Sequence, residues 1–180
     1  MKKALTMALA VAMLGIPLFS PAENTGHEEI VISDCCIPYE AAEMILADIG
    51  MRLLIPAEWI NLTDRVEQPD EGVTLLLGDE EEESWLSIDI IAVDLSKSSY
   101  ESLAEGLEQN GMTDVAIKLI NGNKFILFTQ EDAAGLYAVL PSLDGAVTFC
   151  YSQEDEEGEE MFLAILSTFE HGDFDIPEEE

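Results

Sequence analysis

The stretch VAIKLINGNKFILFT, residues 115–129, decides how the rest of the chain is read. Two runs rich in β-branched and aromatic residues flank Asn121-Gly122. A two-residue hairpin turn needs positive φ at both central positions, and Asn-Gly supplies it at the least steric cost. The passage therefore predicts an antiparallel hairpin of strands 115–120 and 124–129. Downstream, residues 135–140 and 146–152 repeat the pattern, turning through Pro141, Ser142, Leu143, Asp144 and Gly145. Side chains alternate along a strand, so Val147, Phe149 and Tyr151 share one face and Thr148, Cys150 and Ser152 the other. Cys150 points away from the main core.

Upstream of the hairpin the period changes to that of a helix. Ser98 and Glu101 stand three apart, the spacing of a capping box, ahead of Tyr100, Leu103, Ala104 and Leu107 on one face. Asn110-Gly111 supplies the stop. Residues 85–95 read as the longest strand, with Leu86, Ile88 and Ile90 opposite Ser87 and Asp89, and residues 72–77 as its neighbour. Residues 51–55 form a strand ended by Pro56, and the turn Glu58-Trp59-Ile60 tucks an indole under the sheet. Pro38 opens a short helix with Ala41, Met44, Ile45 and Ile49 on one face and Gly50 past its end. A last helix carries Phe162, Ile165, Leu166 and Phe169. The expected fold is α+β: a six- or seven-strand, largely antiparallel sheet with three helices packed on its faces.

Charge narrows the function. The 180 residues carry 7 Lys+Arg against 38 Asp+Glu, a formal net charge of −31. Such a surface repels phosphate backbones and anionic headgroups, which argues against nucleic acid and acidic membranes as partners. The hydrophobic fraction of 48% is that of a folding chain, and the length fits one domain. At the N-terminus, Lys2 and Lys3 precede an apolar stretch, residues 4–19, and small residues at Ser20 and Ala22. This is the pattern of an export signal, with cleavage expected after Ala22 and no membrane anchor left behind. An anchor would need about 20 uninterrupted apolar residues, and Pro17 and Pro21 interrupt this run. Residues 23–37 read as an arm, 38–170 as the domain and 171–180 as an acidic tail. The expected location is secreted or periplasmic.

Export gives the three cysteines meaning, because disulfides persist in oxidising compartments. A bridge between the neighbours Cys35 and Cys36 would strain the peptide joining them. Pairing of Cys150 with Cys35 or Cys36 is the easier geometry. It closes a loop spanning most of the chain, worth about 4 to 5 kcal/mol in the chain-entropy picture.

Catalytic chemistry is sparse. The two histidines, His27 and His171, fall outside the expected body, and the sequence has no Gly-rich phosphate loop or nucleophile elbow. Asp89 and Asp94 are the acids in apolar surroundings; period-two alternation has them facing solvent on the polar side of their strand. A small carboxylate-based hydrolase built on them is the remotest of three readings. The acidic runs Asp79, Glu80, Glu81, Glu82 and Glu83, and Glu154, Asp155, Glu156 and Glu157, are candidate low-affinity Ca²⁺ ligands. Neither run has the spaced ligands and glycine of an EF-hand, so a solvated coat is the simpler reading.

The order helix, strand ending Leu54-Ile55-Pro56 with Trp59, two strands, helix, four-strand meander and closing helix resembles the PsbP-like fold group. That group includes an extrinsic photosystem subunit, a nuclear-transport factor and many exported bacterial proteins of unknown role. The resemblance rests on Ile55, Pro56 and Trp59, the Asn121-Gly122 hairpin running into Lys124 and Phe128, and Phe162, Ile165, Leu166 and Phe169, and covers roughly residues 50–169. It implies a central antiparallel sheet flanked by helices and a binding or accessory role, with no shared catalytic residue and no cofactor. The leading expectation is an exported, acidic, non-enzymatic protein that contacts another protein at the cell exterior; a Ca²⁺-responsive protein is the alternative.

Overall fold

Alternation of exposed and half-buried side chains, not a helical stripe, governs the first well-described segment. The computed structural model describes residues 29–31, 37–46, 50–66, 73–81, 83–91, 98–130, 133–142, 145–152 and 156–172. In chain order these form β1 (Glu29–Ile30), β2 (Ala41–Leu46), β3 (Met51–Pro56), β4 (Ile60–Asn61), a 3₁₀ turn (Thr63–Arg65), β5 (Val73–Gly78), β6 (Trp85–Ile91), α1 (Tyr100–Gln109), β7 (Met112–Ile120), β8 (Asn123–Gln130), β9 (Ala133–Ser142), β10 (Gly145–Tyr151), α2 (Glu156–Ser167) and β11 (Glu170–His171). The main sheet runs β1-β7-β8-β9-β10-β6-β5-β4, antiparallel except for β1 on β7. A second sheet runs β11-β3-β2.

The helix expected after Pro38 is instead β2, antiparallel to β3 with Ala41 opposite Pro56 and Leu46 opposite Met51. Its apolar residues fit both periods. Read at two per repeat, Ala42, Met44 and Leu46 pack on the main core while Ala41 and Glu43 are exposed. Burial beside β3 stabilises that reading, whereas an isolated helix of this length is marginal in water. The described residues thus hold two α-helices rather than three. Gly50, with φ of +59°, serves the chain reversal before β3. Glu29 and Ile30, within the stretch read as an arm, pair with Leu119 and Ile120.

The hairpin forms as expected. Asn121 and Gly122 take φ of +43° and +83°, and the pairing runs from Ile120 opposite Asn123 back to Met112 opposite Gln130. The register shifts between Thr113 and Ala116, where Asp114 takes φ of +53°.

One face of the main sheet carries Leu77, Leu86, Ile88, Ile120, Phe125, Phe149 and Tyr151 into a core closed by α2 and β3. Phe125, Phe149 and Phe169 meet edge to face at 5.9 to 6.2 Å, while Trp59, Tyr151 and Phe162 stack in sequence. Trp59 is the core anchor that its place after Pro56 implies. The opposite face carries Ile126, Phe128, Tyr137, Val139, Ala146 and Cys150 beneath α1, which buries Leu103 and Leu107. Each buried leucine contributes about 1.5–3 kcal/mol. Cys150 sits on this second face, as alternation requires; its expected partners Cys35 and Cys36 lie outside the described residues, as do residues 1–28.

Both helix ends are held by polar side chains. The N-terminus of α1 is capped one residue later than the sequence spacing indicates. Ser99 Oγ accepts from the Ser102 amide at 3.1 Å, and Ser102 Oγ accepts from the Ser99 amide at 3.0 Å. Helix α2 ends at Ser167, so Phe169 enters the core from just beyond it. Asn121 and Asn123 donate side-chain amide hydrogens to the carbonyls of Ser167 and Phe169, at 3.1 and 2.9 Å. The hairpin thereby satisfies the last carbonyl of α2, which a helix terminus leaves without a partner, and that of Phe169 just beyond it.

Candidate functional site

The sheet places the β5–β6 turn, which carries one acidic run, beside the end of β10, which precedes the other in the chain. Strands β6 and β10 pair with Leu86 opposite Tyr151, so the β5–β6 turn adjoins the exit of β10 toward α2. The Ser152 amide donates to the Trp85 carbonyl at 3.0 Å, the Trp85 amide donates to Ser152 Oγ at 2.9 Å, and the Ser84 and Tyr151 hydroxyls lie 3.0 Å apart. Glu80, Glu81 and Glu83 on the turn are exposed, as are Glu156, Glu157, Glu159 and Glu160 in the first turns of α2. Carboxylates at a helix N-terminus are favoured by its dipole, which offsets part of their mutual repulsion.

Asp79 has a different job. Its carboxylate oxygens accept from the Glu83 and Ser84 amides at 3.1 and 2.6 Å, holding the turn closed. Glu82, Glu154 and Asp155, also candidate ligands, lie outside the described residues, as does Asp94. Among the described residues no group of three or more His, Cys, Asp or Glu side chains is placed to hold a metal ion.

Two of the described basic side chains pair with other acids. Arg52 on β3 is held between Glu43, at 3.0 Å, and Glu170. The second pairing raises the Arg52 pKa through its hydrogen bond. Lys124 lies 3.9 Å from Glu101 and 4.5 Å above the Tyr100 ring.

Asp89 departs from its expected setting. Its face of β6 is only partly open to solvent: Asp89 is half-buried, opposite Thr74 on β5 and Thr148 on β10. Thr74 Oγ1 donates to one carboxylate oxygen at 2.6 Å and Ser87 Oγ to the other at 3.3 Å. Burial pushes the carboxyl above its usual range; the two hydroxyl donors pull it back only in part.

The folded-state pKa is therefore raised above the unfolded value. This contribution to stability is fully present below about pH 4, the unfolded pKa, and is lost as pH rises through the folded one. Asp89→Asn is expected to gain stability over the parent chain as pH goes from 3 to 7. Urea unfolding of both proteins in choline chloride would measure it, and a gap that does not widen with pH would refute the assignment. Choline supplies ionic strength without an ion small enough to reach the carboxylate.

A seven-strand antiparallel array with a helix on each face and a small sheet beside α2 is an architecture seen before. The solution structure of cyanobacterial PsbP (CyanoP) from Synechocystis sp. PCC 6803 is similar at a TM-score of 0.54, with 15% sequence identity over 85% of this chain and 100% of that one. The fold is PsbP-like. The crystal structure of the Saccharomyces cerevisiae Ran-binding protein Mog1p aligns less well, at a TM-score of 0.44 and 13% identity over 74% of this chain and 96% of that one. No protein-family model matches the chain, and no curated protein sequence matches it. At such identities the likeness is one of fold. Within the PsbP-like frame, the acidic β5–β6 turn lies beside the end of β10, while Asp89 is half-buried in mid-sheet between Thr74 and Thr148.

Proposed function

We propose that this is an exported, non-enzymatic accessory protein that binds a basic surface of another protein through the acidic end of its PsbP-like domain. The observation that carries the reading is the anchoring of the β5–β6 turn, with its exposed Glu80, Glu81 and Glu83, on Tyr151 and Ser152, four residues before Glu156 opens α2. Carboxylates from two distant parts of the chain would then act on one partner, and the described ion pairs of Arg52 and Lys124 are made with other acids, Glu43, Glu170 and Glu101. A concentrated negative patch raises the association rate of a complementary partner and orients it, and the effect falls steeply with salt. The export signal read from Lys2 to Ala22 puts that encounter at the cell exterior.

The test replaces Glu156, Glu157, Glu159 and Glu160 with glutamine together. Capture of partners from a cell-envelope extract at low salt is expected to fall about tenfold or more, with thermal unfolding nearly unchanged because these side chains are exposed. Undiminished capture by the variant would refute this docking site. Mass spectrometry of the exported chain, expected to begin at Glu23, tests the export reading separately.

A further inference from the structure

A single row of side chains crosses the α1 face of the main sheet. From the β7 side it reads Ile117, Ile126, Val139, Thr148, Asp89 and Thr74, each opposite the next in register. The first three belong to the core beneath α1. The last three are polar, yet Thr148 and Thr74 are only 2% and 1% exposed. Thr148 Oγ1 is buried and finds no hydrogen-bond partner among the described residues. A buried hydroxyl left so costs about 1–3 kcal/mol, and such groups in folded proteins mark a missing partner.

Directly across the strand pair stands Asp89, whose described partners are two hydroxyls and no cation. Opposite residues on paired strands have Cβ atoms about 4.5–5.5 Å apart, so one small bridging species can reach both side chains. A water molecule would satisfy the threonine and leave the carboxylate charge uncompensated. A cation is ligated by the oxygens of both side chains and compensates the charge as well. One carboxylate with neutral hydroxyl oxygens suits a singly charged ion; Ca²⁺ takes six to eight oxygens, and Mg²⁺ keeps strict octahedral geometry.

We propose that Asp89 and Thr148 form a site for a monovalent metal cation, Na⁺ being the size that fits between paired strands, with Ser87 and Thr74 completing the oxygen set. The site is independent of the acidic end and of the docking role given to it.

The experiment follows thermal unfolding of the full chain as NaCl replaces choline chloride at constant ionic strength, so that screening of the acidic surface stays fixed. The parent chain is expected to show a saturating rise of about 2–4 °C, because an ion bound only by the folded form stabilises it. Thr148→Val keeps shape and charge; it is expected to lose the Na⁺ response while melting no lower than the parent in choline. Thr148→Ser retains a hydroxyl and the response, and serves also if the valine variant fails to fold. Identical melting of the parent chain in the two salts, as a bridging water or a protonated Asp89 would give, overturns the proposal. So does a Na⁺ rise that survives in both Thr148→Val and Asp89→Asn, which would place the ion on the acidic surface.

Discussion

Phe149→Ala is expected to destabilise the protein by about 3–5 kcal/mol, the range for removing a large aromatic side chain from a core. Phe149 is fully buried on β10 and meets both Phe125 and Phe169 edge to face, at 6.1 and 5.9 Å. The three rings join β8, β10 and the segment after α2, so truncation removes contacts on two sides at once. The strands on either side of β10 are hydrogen-bonded in place and limit how far the site can collapse. Typical domains are stable by 5–15 kcal/mol, so the loss is a large share of the total. Phe149→Leu, which keeps most of the volume, is expected to cost far less. Urea denaturation of the two variants measures the contrast; equal midpoints would show that the triad does not organise this core.

Gly78→Ala is expected to cost about 2–3 kcal/mol, toward the upper part of the range for overpacking. A Cβ built on Gly78 would lie 2.8 Å from both the Ser84 carbonyl oxygen and Trp85 Cβ. Both belong to the other side of the same hairpin, where Gly78 pairs with Trp85 and the Asp79 amide donates to the Ser84 carbonyl at 3.0 Å. Little can move without opening the ladder. The Asp79 cap on Glu83 and Ser84 would be strained with it, so faster amide exchange at Glu83 and Ser84 is expected alongside the loss of stability. Unchanged exchange there would mean that β5 and β6 separate elsewhere to make room.

The Asn-Gly hairpin was legible because few residues tolerate positive φ at two successive positions. The stripe of α1 was legible because Leu103 and Leu107 recur at helical spacing beside a clear stop. Its cap moved by one residue because Ser98, Ser99, Glu101 and Ser102 offer two overlapping boxes, and local sequence does not choose between them. Strand β2 was misread because six apolar-rich residues satisfy both periods, and the choice lay with β3. The acidic end was legible only as two runs. The placing of the first beside the end of β10 depends on β6 pairing with β10, across more than sixty residues of intervening chain. Period two assigned Asp89 to the correct face but gave no sign that two buried threonines flank it, since strand order is not a local property.

The two asparagines of the β7–β8 turn also set a timetable for folding. Hairpins close on the microsecond scale from local contacts alone, whereas joining segments distant along the chain must first meet the entropy of loop closure. Asn121 and Asn123 reach Ser167 and Phe169 across 46 residues. The Ala164, Ile165 and Leu166 carbonyls are met locally, but those of Ser167 and Phe169 acquire these bonds only once the hairpin and the end of α2 have come together. Docking of the end of α2 on the hairpin is a late event built on an early one. Loss of the Asn123 amide, which lies outside the two positive-φ turn positions, would then appear mainly as faster unfolding, whereas damage to Asn121 would also slow closure of the hairpin.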